Sequence, residues 1–366
     1  MNVFLIISSE FPPGPGGIGY HAYSLSVSLV EQGYKVVVLS PADFVSKEEV
    51  FEFDSVQKFD IIRYPRIGWK TYFHRFRMTS DYLKQNQIST VILTGKFSLW
   101  KGWFIKLLFK NQKTLAILHG SEVNLKNQIL RKFTHYSINA ADTLVAVSNF
   151  TKDILPNWIK LKRKIHVIPN GIFLIENNCH ENEIHLDGHP KLITVGHVSP
   201  RKGQHRVIKA LPELVKLFPN IQYHIVGRPV SQNKLENLAI DLGVENHIQF
   251  HGRIKNHNDL SMYYKSADIF MLLSENQLDG DVEGFGIVAL EANEFGLPVI
   301  GAKYCGVEDA VDDGNSGYLV DGNNVEEICN AVVKSMDQKD KLAAGSKQWA
   351  VQHQWKEIVK VYEVLI

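Results

Sequence analysis

The sequence predicts an α/β fold in which parallel sheets are built from successive βα units. Short apolar runs rich in β-branched residues alternate with segments of helical period along the whole chain. Two series of such runs occur, separated by a polar, acidic stretch without periodicity at residues 176–190. A chain of 366 residues is long enough for two domains that each bury a core. We therefore expect two domains of the same class.

The expected strands define where each domain begins and ends. The first series is expected at residues 3–8, 35–40, 90–94, 114–118, 143–148 and 165–168, and the second at residues 191–195, 222–226, 248–250, 269–273, 298–300 and 318–320. We assign residues 1–172 to an N-terminal domain, 173–190 to a linker and 191–349 to a C-terminal domain. From about Lys339 the pattern is helical, and Trp349 and Trp355 are available to anchor this part of the chain.

Composition excludes several classes of protein. Hydrophobic residues make up 45% of the chain and charged residues 22%, as in soluble globular proteins. No run of 18 apolar residues occurs, and the apolar N-terminus lacks the basic region and cleavage site of a signal peptide. The three cysteines lack metal-ligand spacing. We expect a cytoplasmic protein whose cysteines stay reduced.

Charge is distributed unevenly along the chain. Residues 1–172 contain 22 Lys and Arg but 12 Asp and Glu, whereas the remainder contains 18 and 27. Residues 63–77 and 96–110 mix cations with aromatic side chains, a combination that can place a protein on an anionic bilayer. The alternative is a solvated basic surface, with residues 96–110 forming a core helix with one lysine face. We expect peripheral association with the inner face of the cell membrane; no nucleic-acid recognition motif occurs.

A glycine-rich segment, Gly-Pro-Gly-Gly-Ile-Gly at residues 14–19, follows the first expected strand. It satisfies the dinucleotide-binding pattern G-x-G-x-x-G, and Asp43 follows the second strand. However, five residues separate the strand from the first glycine, and Pro15 stiffens the turn. We favour a loop whose backbone N–H groups face a diphosphate, with a plain tight turn as the other alternative.

A basic turn lies between the strand at 191–195 and a helix expected at residues 204–218. Arg201 and Lys202 stand at the entry of that helix, where their charges and the helix dipole both favour a phosphate. A solvated basic turn is the alternative.

Two carboxylates eight positions apart, Glu283 and Glu291, flank a glycine turn that opens a helix near Gly286. Glu283 can accept hydrogen bonds from sugar hydroxyls, and Glu291 can hold a ribose diol. The alternative is that Glu283 caps the helix and Glu291 is a surface residue. In the segment His119-Gly-Ser-Glu122, His119 ends a strand and is either a hydrogen-bonding group, a general base or a satisfied polar residue.

Together these segments resemble the retaining glycosyltransferases of family GT4, which have the GT-B fold. The resemblance covers nearly the whole chain and includes Val147-Ser-Asn-Phe-Thr-Lys152, Ile168-Pro-Asn-Gly-Ile172 and the Glu-x7-Glu segment. It implies two Rossmann-like domains facing each other across a cleft, with a C-terminal helix of about residues 350–366 returning to the N-terminal domain. It also implies transfer of a hexose from GDP-mannose or a UDP-hexose to an acceptor hydroxyl, with retained configuration and without a metal or another cofactor.

The residues that the resemblance places at the donor are Gly17, Gly19, His119, His197, Arg201, Lys202, Glu283, Phe285, Gly286, Ile287 and Glu291. The glycines and Lys202 would contact the diphosphate, and the backbone after Glu283 would stabilise it as it leaves. Glu283 itself would hold sugar hydroxyls, Glu291 the ribose, and His119 the sugar near the reacting carbon. Asp279-Gly-Asp281 resembles the Asp-x-Asp metal clamp of another transferase architecture. That clamp belongs to a single mixed sheet and not to two βα series, so we expect a polar loop here without a metal role.

The chain departs from the family at one position. His197 stands where an arginine usually helps Lys202 neutralise the diphosphate. Three alternatives follow: Arg201 takes part of that role, His197 binds as an imidazolium, or the leaving group is stabilised more weakly.

A lipid-linked or cell-surface saccharide is the expected acceptor. Two other functions are compatible with the architecture. A sugar-nucleotide epimerase of the GT-B fold would turn over the donor without an acceptor, and a two-lobed binding protein without chemistry would not need Glu283.

Overall fold

The computed structural model describes residues 2–42, 45–65, 68, 70–174, 184–254 and 256–366. This part of the chain forms two compact units. One comprises Met1–Gly171 and Trp355–Ile366, and the other comprises Ile172–Gln354. Asp43, Cys179 and residues 175–183 of the expected linker lie outside the described residues.

In the described part of the N-terminal unit, seven parallel strands form one sheet. They are β1 (Val3–Ser8), β2 (Lys35–Pro41), β3 (Asp60–Tyr64), β4 (Thr90–Thr94), β5 (Lys113–Leu118), β6 (Thr143–Ala146) and β7 (Ile165–Val167), in the spatial order β3-β2-β1-β4-β5-β6-β7. Leu5 of β1 pairs with Val37 on one side and Val91 on the other. All three side chains are fully buried, which is why the central strands consist of continuous apolar runs.

Helices connect these strands. They are α1 (Gly17–Glu31), α2 (Lys47–Ser55), α3 (Lys70–Gln85), α4 (Lys96–Leu108), α5 (Gln128–Ala140), α6 (Asn149–Asp153) and α7 (Asn157–Lys160). Polar side chains determine where several of them begin. Ser46 and Glu49 form a reciprocal capping box at α2, and the Asn127 side chain accepts two backbone N–H bonds at α5.

The C-terminal unit repeats the architecture with six described parallel strands. They are β8 (Lys191–Val195), β9 (Gln222–Val226), β10 (Ile248–Gly252), β11 (Ile269–Leu272), β12 (Val299–Ala302) and β13 (Gly317–Val320), in the order β10-β9-β8-β11-β12-β13. The helices that follow are α8 (Gln204–Leu217), α9 (Gln232–Asp241), α10 (His257–Ser266), α11 (Ile287–Glu294), α12 (Val325–Asp337), α13 (Lys339–Gln352) and α14 (Trp355–Glu363). Across the described residues, no helix combines the length and hydropathy needed to cross a bilayer.

The predicted class of two parallel α/β sheets is confirmed, but β3 was missed. Asp60 and Arg63 interrupt its apolar run, and the strand lies at the edge of the sheet. The Arg63 guanidinium is neutralised there by Asp54, whose Oδ1 lies 2.7 Å from Nη2. An edge strand needs only one buried face, so its sequence lacks the continuous apolar run used to find the others.

Each sheet has a point at which the strand order reverses, β2-β1-β4 in one and β9-β8-β11 in the other. In open α/β sheets, ligands bind beyond the carboxyl ends of the strands at such points. The glycine-rich segment follows β1, and the basic turn follows β8. The Glu283 segment follows β11, so the motifs of each unit stand at the edge where ligands are expected.

The last helix, α14, belongs to the N-terminal unit, as expected from the resemblance. Its Tyr362 hydroxyl lies 3.2 Å from Nε2 of His21 on α1, and the Trp355 ring packs edge-on against the same imidazole at 5.1 Å. All three side chains are buried. The C-terminal helix is therefore part of this unit's core.

Candidate functional site

The basic turn after β8 lies against the end of β11. Gly203 has a φ of 74°, and a Cβ at this position would lie 1.8 Å from the carbonyl oxygen of Leu273. A side chain is therefore excluded by both conformation and contact. The N–H of Glu275 donates to the carbonyl of Arg201 at 2.8 Å, which extends the contact. Arg201 and Lys202 are thus held beside the segment that leads to Glu283.

Three of the residues expected at the site form one ionic cluster. The ammonium group of Lys202 lies 2.7 Å from Oε2 of Glu283, and the guanidinium of Arg201 donates to the same oxygen. Arg201 also pairs with Asp281, 3.1 Å from Nε to Oδ2. Lys202 and Glu283 are each 9% exposed, so this cluster is largely removed from water.

The charges in the cluster keep Glu283 ionised. Burial by itself would raise the pKa of Glu283, but the nearby charges of Lys202 and Arg201 outweigh it and lower the pKa. The same attraction to Glu283 raises the pKa of Arg201 against the effect of its burial. A buried pair of this kind is costly to break, because the remaining charge loses both its partner and its hydration.

His197 stands among cations. Burial lowers the pKa of its imidazole, and the charges of Arg228, Lys202, Arg201 and Arg253 lower it further. In this structure both effects favour the neutral ring. Its carbonyl accepts a hydrogen bond from Gln204 Nε2 at 3.0 Å, which fixes the turn to the first residue of α8. The positive charge around His197 comes from its neighbours.

The segment from Glu283 to Gly286 is held by close backbone packing. Gly306 lies so near that a Cβ on it would be 2.2 Å from the carbonyl carbon of Gly284, and its N–H donates to the Glu283 carbonyl at 2.9 Å. Gly286 has a φ of 93° and is the residue before α11, which begins at Ile287. Phe285, which lies between Gly284 and Gly286 in the sequence, is buried. The N–H groups at the start of α11 give this edge of the sheet a site of positive potential.

Glu291 does not join the cluster. It lies on α11, and its Oε2 accepts a hydrogen bond from the Tyr264 hydroxyl at 2.9 Å. Burial raises the pKa of Tyr264, and the charge of Glu291 raises it further, so the hydroxyl remains a donor. Glu291 is therefore a half-buried, oriented carboxylate rather than a free surface residue.

The glycine-rich loop of the N-terminal unit precedes α1. A Cβ on Gly19 would lie 2.9 Å from the backbone nitrogen of Phe11, and one on Gly16 would lie 2.0 Å from Oε2 of Glu10. These two glycines are explained by packing within the unit. At Gly17 a Cβ would meet no atom within 4 Å, so packing does not require glycine there.

His119 is placed at the end of β5. Its Nε2 lies 2.8 Å from the Thr94 hydroxyl, and its ring packs edge-on against His21 with 4.9 Å between centroids. Burial lowers the pKa of His119 to about 3, so its imidazole is neutral at physiological pH. As a neutral group bonded to a hydroxyl, it is a hydrogen-bonding residue rather than a cation.

Glu122 is a buried carboxylate to which the sequence analysis assigned no role. Its Oε1 accepts a hydrogen bond from the backbone N–H of His119 and so shapes the loop after β5. Oε2 is buried and has no hydrogen-bond partner among the described residues. Burial raises the pKa of Glu122 to about 7, although backbone N–H bonds oppose the shift; the nearby charge of Glu10 adds to it.

The Asp279–Asp281 loop is polar, as expected. Oδ1 of Asp279 accepts the N–H of Asp281 at 3.1 Å, and the Asp281 carboxylate pairs with Arg201. In the part of the chain that the structure describes, no group of three or more His, Cys, Asp and Glu side chains is arranged to hold a metal ion.

Comparison with known proteins assigns both halves of the chain. Residues 15–174 match the family Glycosyltransferase Family 4, and residues 177–349 match Glycosyl transferases group 1. The GDP-mannose-dependent alpha-(1-6)-phosphatidylinositol monomannoside mannosyltransferase of Mycolicibacterium smegmatis is 27% identical, over 96% of this chain and 95% of that protein. The chain belongs to the group 1 glycosyltransferases of family GT4.

Solved structures share the fold. The sucrose-phosphate synthase of Thermosynechococcus elongatus superposes with a TM-score of 0.77 at 19% identity, over 100% of this chain and 98% of that one. Anabaena HepE in complex with UDP gives a TM-score of 0.75 at 18% identity, over 100% and 99%. Both likenesses extend over the whole chain and place it among proteins of the GT-B fold.

Several residues near the site were missed from the sequence. Arg228 follows Gly227, the residue directly after β9, and Arg253 follows Gly252, the last residue of β10. A Gly-Arg pair at a strand exit was therefore a visible signal. Tyr264 gave none, because its contact with Glu291 depends on how α10 packs against α11.

The raised pKa of Glu122 makes stability depend on pH. Between about pH 4.5 and 7 the folded protein holds a proton that the unfolded chain releases, so stability falls as pH rises through this window. Glu122→Gln keeps the size and the acceptor oxygen but cannot ionise. We expect its free energy of unfolding in urea to fall less from pH 5 to pH 8 than that of the wild type, by about 3 kcal/mol at most.

Glu31→Gln is the matched control, since it removes an exposed carboxylate from α1. It should keep the pH dependence of the wild type. If Glu122→Gln also kept it, the carboxylate would not carry the raised pKa.

Proposed function

We propose that the protein is a retaining hexosyltransferase that moves a hexose from GDP-mannose or a UDP-hexose to a hydroxyl of a lipid-linked or cell-surface saccharide. The observation that carries this proposal is the buried cluster of Lys202, Arg201 and Glu283 at the carboxyl edge of a parallel sheet, in a chain of glycosyltransferase family. The similar protein of M. smegmatis is a GDP-mannose-dependent mannosyltransferase, which supports GDP-mannose as the donor.

In the proposed complex, positive groups of the C-terminal unit bind the diphosphate. Lys202 is the direct contact, and the first N–H groups of α11 add to its charge. Arg228 and Arg253, which already lower the pKa of His197, compensate for the missing arginine at position 197. Glu291, oriented by its bond to Tyr264, accepts hydrogen bonds from the ribose diol.

The N-terminal unit contributes fewer polar contacts to the proposed reaction. Gly17, with open space beside its Cα, gives its backbone to the diphosphate together with Gly19. The neutral ring of His119 donates or accepts a hydrogen bond at the sugar, and Thr94 fixes its orientation. Glu122 is a positioning residue, because it acts through the backbone N–H of His119.

The proposed chemical step needs no protein nucleophile. The bond between the anomeric carbon and the diphosphate oxygen breaks while Glu283 holds the sugar hydroxyls. The acceptor oxygen then bonds to the same face of that carbon, and its proton passes to the departing diphosphate. Lys202 and the α11 dipole stabilise the charge that develops there, a role for which preorganised groups in a dry site are suited. In this proposal no metal ion or other cofactor takes part.

Product analysis tests this reaction. The protein is incubated with GDP-mannose, UDP-glucose or UDP-galactose and a lipid-linked saccharide, with and without EDTA, and the products are examined by NMR. One donor should be consumed, its hexose should appear on the acceptor with the donor's anomeric configuration, and EDTA should change the rate less than twofold. An inverted product, or loss of activity with EDTA, would contradict retention or metal independence. An epimerised donor without transfer would favour the epimerase.

The proposed membrane contact is a face of the N-terminal unit. Helix α4 packs Leu99 and Ile105 into the core of the unit and buries Lys101. It also exposes Trp103, Leu107 and Leu108. Exposed apolar side chains also occur on α5, including Ile129 and Tyr136. Such a patch in the basic half of the chain is suited to an anionic bilayer.

Liposome flotation measures this association. The wild type should float with vesicles that contain phosphatidylglycerol and less with vesicles of phosphatidylcholine alone. Trp103→Ser with Leu107→Ser should at least halve the floated fraction, because both side chains would enter the interface. Val351→Ser, at an exposed apolar position of α13, is the control and should float like the wild type. If the protein floated with neither type of vesicle, the membrane contact would be refuted.

A further inference from the structure

Residues of helices α3, α4 and α5 of the N-terminal unit line an open cavity of about 700 Å³. This volume is typical of a ligand pocket. The described residues that line it include six aromatic side chains, Phe73, Phe76, Phe97, Trp100, Phe104 and Phe133. Phe73 is 72% exposed, and several of the others are partly accessible. An apolar lining of this size left open to water indicates that something apolar covers it.

The cavity also contains a buried cation that the proposed reaction does not use. Lys101 of α4 lines it and is 4% exposed. Its ammonium group donates to the Thr79 hydroxyl at 3.0 Å and, among the described carboxylates, forms no ion pair. Burial lowers the pKa of Lys101, and the charge of Arg75 lowers it further.

Arg75 places a second positive charge in the same wall. Its guanidinium stacks 4.2 Å from the centre of the Tyr64 ring and 5.4 Å from that of Phe97. Arg77 and Lys84 add cations at the exposed rim, where Asp81 is the carboxylate, 3.6 Å from Nε of Arg77. The described lining residues therefore carry more positive than negative charge, and Lys101 and Arg75 are the buried cations among them.

A buried ammonium group is costly unless an anion joins it, because it is deprived of water and is repelled by the nearby charge of Arg75 through a medium that screens poorly. Among the described residues, the Lys101 ammonium group contacts the Thr79 hydroxyl and the Tyr64 ring, 5.6 Å from its centre, but no carboxylate. Such a group in a pocket is a candidate for ligand binding.

We propose that this cavity binds the phosphate-bearing end of a lipid, with the phosphate between Lys101 and Arg75 and the hydrocarbon chain along the six aromatic side chains. A phosphate supplies a negative charge for Lys101, which has none among the described carboxylates, and an acyl or isoprenoid chain covers the apolar lining. A water-soluble sugar phosphate would leave the aromatic rings exposed, and a neutral lipid would leave Lys101 without a counter-charge.

The pocket is joined to the edge of the sheet where His119 lies. Helix α4 starts after Gly95, and the Ser9 hydroxyl accepts the N–H groups of Phe97 and Ser98 at 3.0 and 3.2 Å. Thr94, the residue before Gly95, is the partner of His119. The inference deepens the proposed function and rests on it for one step, that the bound lipid phosphate is the carrier of the saccharide acceptor.

Calorimetric titration with farnesyl phosphate tests the site. Farnesol, which lacks the charge, and inorganic phosphate, which lacks the chain, are titrated in parallel. The wild type should bind farnesyl phosphate at least tenfold more tightly than either. Lys101→Met, which keeps the length of the side chain, should lose at least tenfold for farnesyl phosphate and leave farnesol unchanged. Equal affinity of Lys101→Met and the wild type for farnesyl phosphate would overturn the proposal.

Two further variants locate the binding. Lys110→Gln removes an exposed charge just beyond α4 and should bind like the wild type. Ser80→Trp places a large ring in the cavity and should abolish binding of both farnesyl compounds, with the melting temperature recorded to show that it is folded. If Ser80→Trp bound them as the wild type does, they would bind elsewhere and the proposal would fail.

The same variants separate this inference from the proposed function. Binding of GDP or UDP should be unaffected by Lys101→Met, because the proposed diphosphate contacts do not include α4. If neither nucleotide binds while farnesyl phosphate still depends on Lys101, the proposed function fails and the lipid site stands. If a nucleotide binds normally but farnesyl phosphate is indifferent to Lys101, the lipid site alone is overturned.

Discussion

The pairing of Lys202 with Glu283 is the interaction on which the proposed chemistry depends. Both side chains are about nine-tenths buried, and Arg201 adds a second positive charge on the same carboxylate oxygen. Burial alone would raise the pKa of Glu283, and the charges of Lys202 and Arg201 outweigh that effect and lower it. As a cluster they keep a cation for a diphosphate and an anion for hydroxyl groups within one hydrogen bond of each other, so two opposite binding tasks share a small volume.

Backbone geometry maintains this cluster. Gly203 lets the basic turn meet the end of β11, and the contact of Gly306 with Gly284 holds the Glu283 segment from the other side. The charges therefore sit on chain segments that the parallel sheet fixes, at the edge where its strands end. A side chain in place of Gly203 or Gly306 would force one member of the Lys202–Glu283 pair away from the other.

Parallel strands buried on both faces give continuous apolar runs, so the sheets could be predicted, whereas edge strand β3 has Asp60 and Arg63 and could not. Lys202 and Glu283, which the structure brings into contact, were expected at the carboxyl edge of their sheet because one strand and one motif suffice to locate each; their role at a donor stays a prediction. Arg228 and Arg253 were missed because only the sheet order β10-β9-β8 brings the ends of their strands to the same edge as the basic turn. The burial of Lys101 was equally hidden, since a lysine in an amphipathic pattern is expected to be solvated.

Calorimetric titration of GDP and UDP into the wild type, Lys202→Ala and Lys209→Ala tests the central claim most directly. Lys209 is an exposed cation on α8, the helix that follows the basic turn. At least one nucleotide should bind the wild type and Lys209→Ala equally, and Lys202→Ala should bind it at least tenfold more weakly, because a charge-assisted hydrogen bond is lost. Unchanged affinity in Lys202→Ala would show that the diphosphate is held elsewhere.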